Sequence, residues 1–204
     1  MRTSMRSGLL ALLACSVSVP AVASFHLMKV VEVFPGTAAA PGAQYVILQM
    51  HAGGQNQVGG HGITVFDAGN NVVGTELFTG PVPIGATQSK IIIASTEAVA
   101  LFGLRADLLL DMPFAPAGGK VCFDSSPVDC FAWGSYAGPS AGVGTPYAQG
   151  TGLTPGRAAI RRLDIVAPVT TLQSGDDTDE CSTDFIDGAP APRANNSLFF
   201  NGLE

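Results

Sequence analysis

Charge is scarce in this sequence: of 204 residues, 10 are Lys or Arg and 16 are Asp or Glu. Only three of the basic residues lie close together in the sequence, and these are Arg157, Arg161 and Arg162. A protein that binds nucleic acid or an anionic membrane surface needs a larger basic patch or stripe. We therefore expect neither nucleic acid nor such a membrane as a partner.

Long apolar runs are also missing, because no stretch after the first 24 residues approaches the roughly 18 apolar residues of a membrane-spanning helix. Residues 1–23 carry two arginines, then an apolar run too short to span a bilayer, and end in Ala21-Val22-Ala23. This pattern predicts a signal peptide, and it leaves residues 24–204 as one secreted, periplasmic or cell-surface domain. The alternative is a shorter leader that is cleaved before Cys15, which would then be lipidated and become the new N-terminus.

Cysteine is rare, and three of the four cysteines follow the predicted signal peptide. The stretch KVCFDSSPVDCFAW reads as a hairpin centred on Ser126, which places Cys122 opposite Cys130. Because an exported chain can form disulfides, we predict a Cys122–Cys130 bridge and a free Cys181. The alternative is that Cys122 and Cys130 are merely small buried residues. This register assigns four residues to the opposite, core-facing side of the hairpin: Val121, Phe123, Phe131 and Trp133.

Turn formers are abundant, with 25 Gly and 14 Pro. They separate short runs rich in β-branched and aromatic residues, which are typical of strands. The candidate strands are 26–34, 44–51, 63–67, 72–78, 90–95, 107–111, 120–124, 129–133 and 157–166. The segment 95–103 favours a helix, with Ser95 or Thr96 as its cap and Gly103 as its stop. About nine short strands and one short helix predict an all-β sandwich.

Motifs for catalysis are incomplete. The run Gly138-Pro139-Ser140-Ala141-Gly142 matches the G-x-S-x-G nucleophile elbow, which needs a preceding strand, a following helix and a later histidine. However, the last histidine is His61, and the motif lies in the Gly- and Pro-rich stretch 134–156, which we expect to be a surface loop. His51 and His61 also lack the spacing of common zinc sites. These motifs therefore predict neither a serine hydrolase nor a zinc site.

Six of the sixteen acidic residues fall within residues 176–187, which we call the acidic stretch. Carboxylate oxygens are ligands that calcium prefers. The calcium candidates are Asp176, Asp177, Asp179 and Glu180. The EF-hand spacing is not met, because Glu180 and Cys181 stand where that loop needs an acid or Asn and then Gly. Asp and Thr also form turns by bonding their own backbone, so a structural role and a calcium loop both stay open.

The sequence DDTDECSTDF followed by GAPAPRANN resembles the closing signature of bacterial lamin-tail-like domains. Other parts agree in order: KVVEVFPG resembles the opening strand, QYVILQM the second strand, GGKVCFD and VDCFAWG the late hairpin, and AAIRR the Arg-bearing strand. The second strand departs from the family pattern at Gln44 and Ile47, where acids usually stand. The resemblance implies an immunoglobulin-like β-sandwich over residues 24–204 and a non-enzymatic module of secreted or surface proteins.

We expect residues 176–196, the closing segment, to complete the sandwich. The structural residues of this segment and their partners are Asp179, Asp184, Phe185, Arg161 and Arg162. The Asp184 carboxylate is expected to pair with one of the two arginines, while Phe185 packs beneath as an apolar anchor. Asp176 and Asp177 are expected to lie in solvent.

The expected function is a binding or structural role at the cell surface or in the extracellular space, with an unknown protein or glycan of the cell envelope as partner. No cofactor is expected, and calcium is the one candidate. The alternative is a calcium-dependent hydrolase or a calcium-dependent carbohydrate-binding module that uses the acidic stretch. The sequence shows no coherent nucleophile and base, which disfavours an enzyme. Asn195-Asn196-Ser197 matches a glycosylation sequon.

Overall fold

The computed structural model describes residues 25–124 and 127–195. The predicted signal peptide, its cleavage site before Ser24 and the alternative lipidation site Cys15 lie outside the described residues. Strands dominate the described chain and assemble into two sheets, which confirms the prediction of an all-β fold.

The described chain forms ten strands, one more than predicted. They are β1 (Met28–Phe34), β2 (Tyr45–Met50), β3 (Gly62–Asp67), β4 (Val72–Leu77), β5 (Lys90–Ala94), β6 (Leu108–Leu109), β7 (Gly118–Phe123), β8 (Asp129–Gly134), β9 (Ala158–Arg161) and β10 (Phe185–Gly188). The helical elements are α1 (Thr96–Phe102), the single turn α2 (Cys181–Asp184) and a 3-10 turn (Ser174–Asp176).

The strands divide into a six-stranded and a four-stranded sheet. The six-stranded sheet has the order β10-β9-β1-β2-β5-β6, and its pairs are antiparallel except for the parallel pair β5–β6. The four-stranded sheet has the order β4-β3-β7-β8 and is antiparallel throughout. The first and the last strands of the described residues thus lie in the same sheet, with β9 between them.

The main core lies between the two sheets, where side chains of β1, β2 and β5 meet those of β3, β7 and β8. A second apolar cluster covers the other face of the six-stranded sheet, where α1 and the chain after β9 pack against it. β2 is therefore buried along its whole length: Val46 and Leu48 face the main core, and Tyr45 and Ile47 face the second cluster. Burial on both faces explains its nearly unbroken apolar sequence.

The hairpin of β7 and β8 has the predicted register, with Cys122 opposite Cys130. A disulfide joins these two residues. The predicted core side of the hairpin, which includes Phe131 and Trp133, is buried. The cysteine side is buried as well, with Cys122 1% and Cys130 8% exposed, so the hairpin lies inside the protein on both faces.

The predicted helix is α1. Ser95 caps it, because its hydroxyl oxygen accepts a hydrogen bond from the backbone N–H of Ala98 at 3.1 Å. Gly103 ends it in the left-handed conformation, with φ of 61°, which glycine adopts without a steric penalty. Both ends of this helix follow from local chemistry.

The strand predicted over 157–166 is shorter in the structure and ends at Arg161. Beyond that residue the chain leaves the sheet, and Leu163 and Leu172 cover the second apolar cluster. β10 and α2 were not predicted, because their short acidic sequence has no apolar periodicity. β10 forms as the partner of β9, with Phe185 opposite Arg161.

The stretch 134–156 is a loop, as predicted, but it packs closely on β8. Tyr147 bonds to that strand through its backbone: its N–H donates to Ala132 O at 2.9 Å, and its carbonyl accepts from Gly134 N–H at 2.8 Å. Val143 and Leu153 are buried beneath the loop. The loop therefore covers an edge strand that would otherwise be open to another chain.

None of the helices in residues 25–124 and 127–195 has the length and apolar character needed to cross a bilayer.

Candidate functional site

Arg161 is the centre of a buried polar cluster between the two sheets. Its side chain is only 1% exposed. The Nε atom donates to the carbonyl oxygen of Val30 at 2.8 Å, and Nη2 donates to Oδ2 of Asp129 at 2.8 Å. A buried guanidinium group needs such partners, because removing its charge from water is costly. We call Arg161, Asp129, Asp177, Asp184 and Lys29 the Arg161 cluster.

Asp129 connects the two sheets. It begins β8 in the four-stranded sheet, and its Oδ2 accepts hydrogen bonds from Arg161 of β9 and from the backbone N–H of Val30 in β1, the latter at 2.6 Å. Its Oδ1 is buried and has no hydrogen-bond partner in the described part of the protein. Burial raises the pKa of this carboxyl group to about 6, despite the opposing effect of Arg161.

Asp177 and Lys29 form the outer side of the cluster. Oδ1 of Asp177 accepts from Arg161 Nη1 at 3.1 Å, and Oδ2 accepts from Lys29 Nζ at 2.5 Å. Burial alone would raise the pKa of Asp177, but Arg161 and Lys29 outweigh it and hold that pKa below its ordinary value. The expectation that Asp177 lies in solvent is wrong, since its side chain is 7% exposed.

Asp176 is also buried, contrary to expectation, with 0% exposure. Its carboxylate accepts from the backbone N–H groups of Gln173 at 2.8 Å and Val166 at 3.3 Å. It thereby closes the 3-10 turn and holds the preceding chain, and these two donors occupy the carboxylate that a calcium ion would use. Such local side-chain to backbone bonds are a common use of Asp in turns.

Asp184 lies at the end of α2, on the inner side of the cluster. Its Oδ2 accepts from Arg161 Nη1 at 3.4 Å and from the backbone N–H of Thr178 at 2.9 Å, and its Oδ1 accepts from the Thr178 hydroxyl at 2.6 Å. Of the two candidate arginines, the structure brings Arg161 to this carboxylate. Asp184 thus joins the acidic stretch to the six-stranded sheet.

Phe185 packs directly beside these charges. It is 3% exposed, and its ring centroid lies 4.2 Å from that of Phe131. The guanidinium carbon of Arg161 lies 4.7 Å from the centroid of the Phe185 ring, which is a cation–π geometry. The contact follows from strand pairing, because Phe185 and Arg161 are opposite residues of β10 and β9.

Arg162 does not contribute its side chain to the cluster. Its guanidinium group is half-exposed and binds Asp164 at 3.0 Å, while its backbone N–H donates to the carbonyl of Asp184 at 2.7 Å. Of the two arginines expected as partners of the Asp184 carboxylate, Arg161 and not Arg162 is the one that binds it. Successive side chains of an extended chain point to opposite sides, so Arg162, directly after the last residue of β9, points away from the cluster that Arg161 enters.

Asp179 and Glu180 lie towards the outside of the acidic stretch. Asp179 is exposed and has a positive φ of 57°, and its backbone N–H donates to Asp177 Oδ1 at 3.3 Å. Glu180 accepts at Oε1 from the backbone N–H of Thr145 and from the Ser182 hydroxyl, each at 2.7 Å. The structural role assigned to Asp179 therefore rests on its backbone, since its side chain is exposed.

No group of three or more His, Cys, Asp or Glu side chains in residues 25–124 and 127–195 is arranged to hold a metal ion. The inward carboxylates of the acidic stretch instead accept hydrogen bonds from Arg, Lys and backbone donors. The four calcium candidates point in different directions, with Asp176 and Asp177 inward and Asp179 outward. They do not converge on one centre.

Three further sequence features have structural roles. Cys181 is free and buried; its sulfur accepts from the backbone N–H of Ala132 at 3.4 Å, and burial raises the pKa of its thiol to about 12. His61 contacts Asp124 at 3.1 Å. Asn195, the sequon acceptor, is 4% exposed, and its amide nitrogen donates to two backbone carbonyls, which leaves no room for a glycan.

Sequence reasoning missed Lys29, Asp129 and Thr178. Each comes from a different part of the chain, and no short motif connects them. A signal for the first two was present, because each is a single charge within or beside an apolar strand. A charge in such a place requires a partner, although the sequence does not say which one.

Comparison of the chain with protein-family models, with curated proteins and with solved structures gives no match.

Proposed function

We propose that this protein is a secreted, non-enzymatic, immunoglobulin-like β-sandwich module of the lamin-tail type, with a binding or structural role at the cell surface or in the extracellular space. One observation carries this proposal: the most distinctive part of the sequence, its acidic stretch, turns its buried carboxylates inward, where they bind Arg161, Lys29 and backbone N–H groups of the scaffold. These carboxylates therefore have a structural role in the fold.

The link between the sheets supports the comparison with immunoglobulin domains and also qualifies it. Antibody domains join their two sheets by a disulfide. Here the disulfide Cys122–Cys130 joins neighbouring strands of one sheet, and a polar contact between the sheets is the ion pair of Arg161 with Asp129. An ion pair thus links the two sheets where an antibody domain uses a disulfide.

The disulfide supports export as well. Disulfides persist in oxidising compartments and are rare in the reducing cytosol. The Cys122–Cys130 bridge therefore agrees with the signal-peptide pattern of residues 1–23.

A substrate and metal screen tests the proposal. The purified mature protein is assayed with generic ester, peptide, glycoside and phosphodiester substrates, and its melting temperature is measured with calcium and with chelator. We expect no turnover above that of a heat-denatured control and no calcium-dependent rise in melting temperature. The double variant Asp179→Ala/Glu180→Ala removes the two outward acids among the calcium candidates.

Two outcomes would contradict the proposal. Turnover that disappears in the Asp179→Ala/Glu180→Ala variant would make the protein a hydrolase. A calcium-dependent rise in melting temperature that the same variant abolishes, together with calcium-dependent retention on a glycan array, would make it a carbohydrate-binding module. Pull-down from the native cell envelope with the wild-type protein then identifies the partner.

A further inference from the structure

Lys29 and Asp177 form the closest ion pair in the Arg161 cluster. Lys29 is the second residue of β1, and Asp177 follows the 3-10 turn, 148 positions later in the chain. Nζ of the lysine lies 2.5 Å from Oδ2 of the aspartate, and the two side chains are only 15% and 7% exposed. An amine and a carboxyl group are thus held together in a partly desolvated place.

The groups around this pair supply what an acyl transfer needs. Arg161 Nη1 binds the other oxygen of Asp177, Oδ1, so a cation faces the atom on which negative charge would develop. Asp129 accepts a hydrogen bond from Nη2 of the same guanidinium group, and its charge interacts with those of Asp177 and Lys29. Its Oδ1 is buried and unpartnered in the described residues, and a pKa of about 6 suits a group that accepts and returns a proton near neutral pH.

We propose that Lys29 and Asp177 condense to an intramolecular amide bond that joins β1 covalently to the closing segment. Asp129 carries one proton from the Lys29 ammonium group to Oδ2 of Asp177, and the free amine then attacks Cγ of the neutral carboxyl group. Arg161 holds the negative charge that forms on Oδ1. The Cγ–Oδ2 bond breaks as Asp129 carries the second proton from the nitrogen to Oδ2, which leaves as water. One ammonium and one carboxylate become one amide and one water, with no oxidant or co-reactant.

Burial favours the product. An ion pair removed from water loses the hydration of two charges, whereas an amide at the same place carries none. The reaction leaves the total charge of the cluster unchanged, because it consumes one positive and one negative group. Arg161 keeps Asp129 and Asp184 as its partners.

Another lysine provides a matched control within the same protein. Nζ of Lys120 lies 2.7 Å from Oδ1 of Asn70, so an amine again contacts a carbonyl group. Tyr136 donates to the same Asn70 oxygen, and this pair has no arginine or buried carboxyl group among its described contacts. Proximity is therefore similar at the two places, but the acid–base and charge-stabilising groups are present only beside Lys29 in the described chain.

Intact mass of the mature, exported wild-type protein tests the inference directly. We expect a mass lower by one water molecule than that of the disulfide-bonded chain, and proteolysis should give a branched fragment that contains both Lys29 and Asp177. A full mass would overturn the proposal. So would a water loss located in an unbranched fragment, because cyclisation of an aspartate with its own backbone removes the same mass.

Variants separate the proposed chemistry from other modifications. Lys29→Arg keeps the charge and should restore the full mass, whereas Lys120→Arg should keep the water loss. Asp177→Asn should lose ammonia in place of water, since the leaving group changes from oxygen to nitrogen. A water loss that persists in Lys29→Arg would contradict the assignment of the nucleophile.

The role of Asp129 has its own pair of variants. Asp129→Asn keeps the size of the side chain but cannot carry the proton, so the folded variant should retain the full mass. Asp184→Asn changes another partner of Arg161 and should still cross-link. Circular dichroism of both variants checks that each of them folds. Cross-linking that proceeds unchanged in Asp129→Asn would remove Asp129 from the reaction.

Discussion

The acidic stretch contains two sets of carboxylates that have the same chemistry and opposite surroundings. The inward set is Asp176, Asp177 and Asp184, and the outward set is Asp179, Glu180 and Asp187. Inward carboxylates bind Arg161, Lys29 or backbone N–H groups and connect distant strands. Outward carboxylates bind groups at the surface, such as the Ser182 hydroxyl, the Thr145 backbone N–H and the exposed Arg157. The difference shows that an acidic run can be part of a protein's interior, and the following predictions test how strongly burial separates the two sets.

The largest effect is expected from Arg161→Met. This change leaves Asp129, Asp177 and Asp184 buried without their shared cation, and breaking a buried ion pair on one side typically costs about 3 to 5 kcal/mol. The free energy of unfolding, measured in urea, should fall by at least that amount. Arg162→Met is the control, because that side chain binds Asp164 at the surface and its loss should change stability little. Equal effects of the two variants would contradict the assignment of Arg161 as the centre.

Phe185→Ala should come next. Truncating a buried Phe ring leaves a cavity and costs about 3 to 5 kcal/mol, and the cation–π contact with Arg161 is lost as well. Its neighbour Ile186 is 53% exposed on the other face of β10, so Ile186→Ala should cost less than about 1 kcal/mol. Urea unfolding of both variants measures the difference. Similar losses would mean that β10 does not present Phe185 to the core.

Asp184→Ala should destabilise the protein by about 2 to 3 kcal/mol, because it leaves the backbone N–H and hydroxyl of Thr178 and one side of Arg161 without an acceptor. Asp187→Ala removes an outward carboxylate that pairs with the exposed Arg157, and its effect should be close to zero. Thermal melts at neutral pH compare the two. A larger loss for Asp187→Ala would reverse the proposed division of the acidic stretch.

The smallest effect concerns pH. Burial raises the pKa of Asp129 from 3.8 to about 6, so the folded protein binds this proton more tightly than the unfolded chain does. Stability contributed by this group is therefore fully present well below pH 3.8 and is lost as pH rises through about 6, and between these two pH values the loss is about 2 kcal/mol. We expect the free energy of unfolding, measured by urea titration at several pH values in this range, to fall less steeply with pH for Asp129→Asn than for the wild type. Comparing slopes cancels any constant difference in stability, and identical slopes would contradict the prediction.

Sequence patterns predicted those parts of the fold that depend on local chemistry. The hairpin register of Cys122 and Cys130 follows from the alternation of side chains along two strands joined by a short turn. The bounds of α1 follow from Ser95 and Gly103, which act within one helical turn. Phe185 stood out as a lone aromatic residue in an acidic run, and it was expected to pack as an apolar anchor beneath the pair of Asp184 with an arginine.

The direction of each carboxylate could not be predicted, because it depends on contacts between distant parts of the chain. Asp176 and Asp177 look like solvated residues beside Asp179, and only the packing of β1 and β9 decides which of them turn inward. Asp129 has no acidic neighbours and gave no sign of joining this stretch. Its partner Arg161 lies 32 positions further along, and Val30 lies 99 positions before it.

The separation in sequence of the groups that meet at Arg161 has a consequence for how the protein folds. The backbone of Val30 on β1 accepts a hydrogen bond from Arg161 and donates one to Asp129. Glu32 on the same strand accepts a hydrogen bond from the backbone N–H of Ala191, 159 positions later. Contacts between residues so far apart in the sequence form slowly, because a long loop must close first. β1 therefore cannot reach its final state until almost the whole chain has emerged. A chain whose first strand is completed last can finish its core only after its C-terminal part is present.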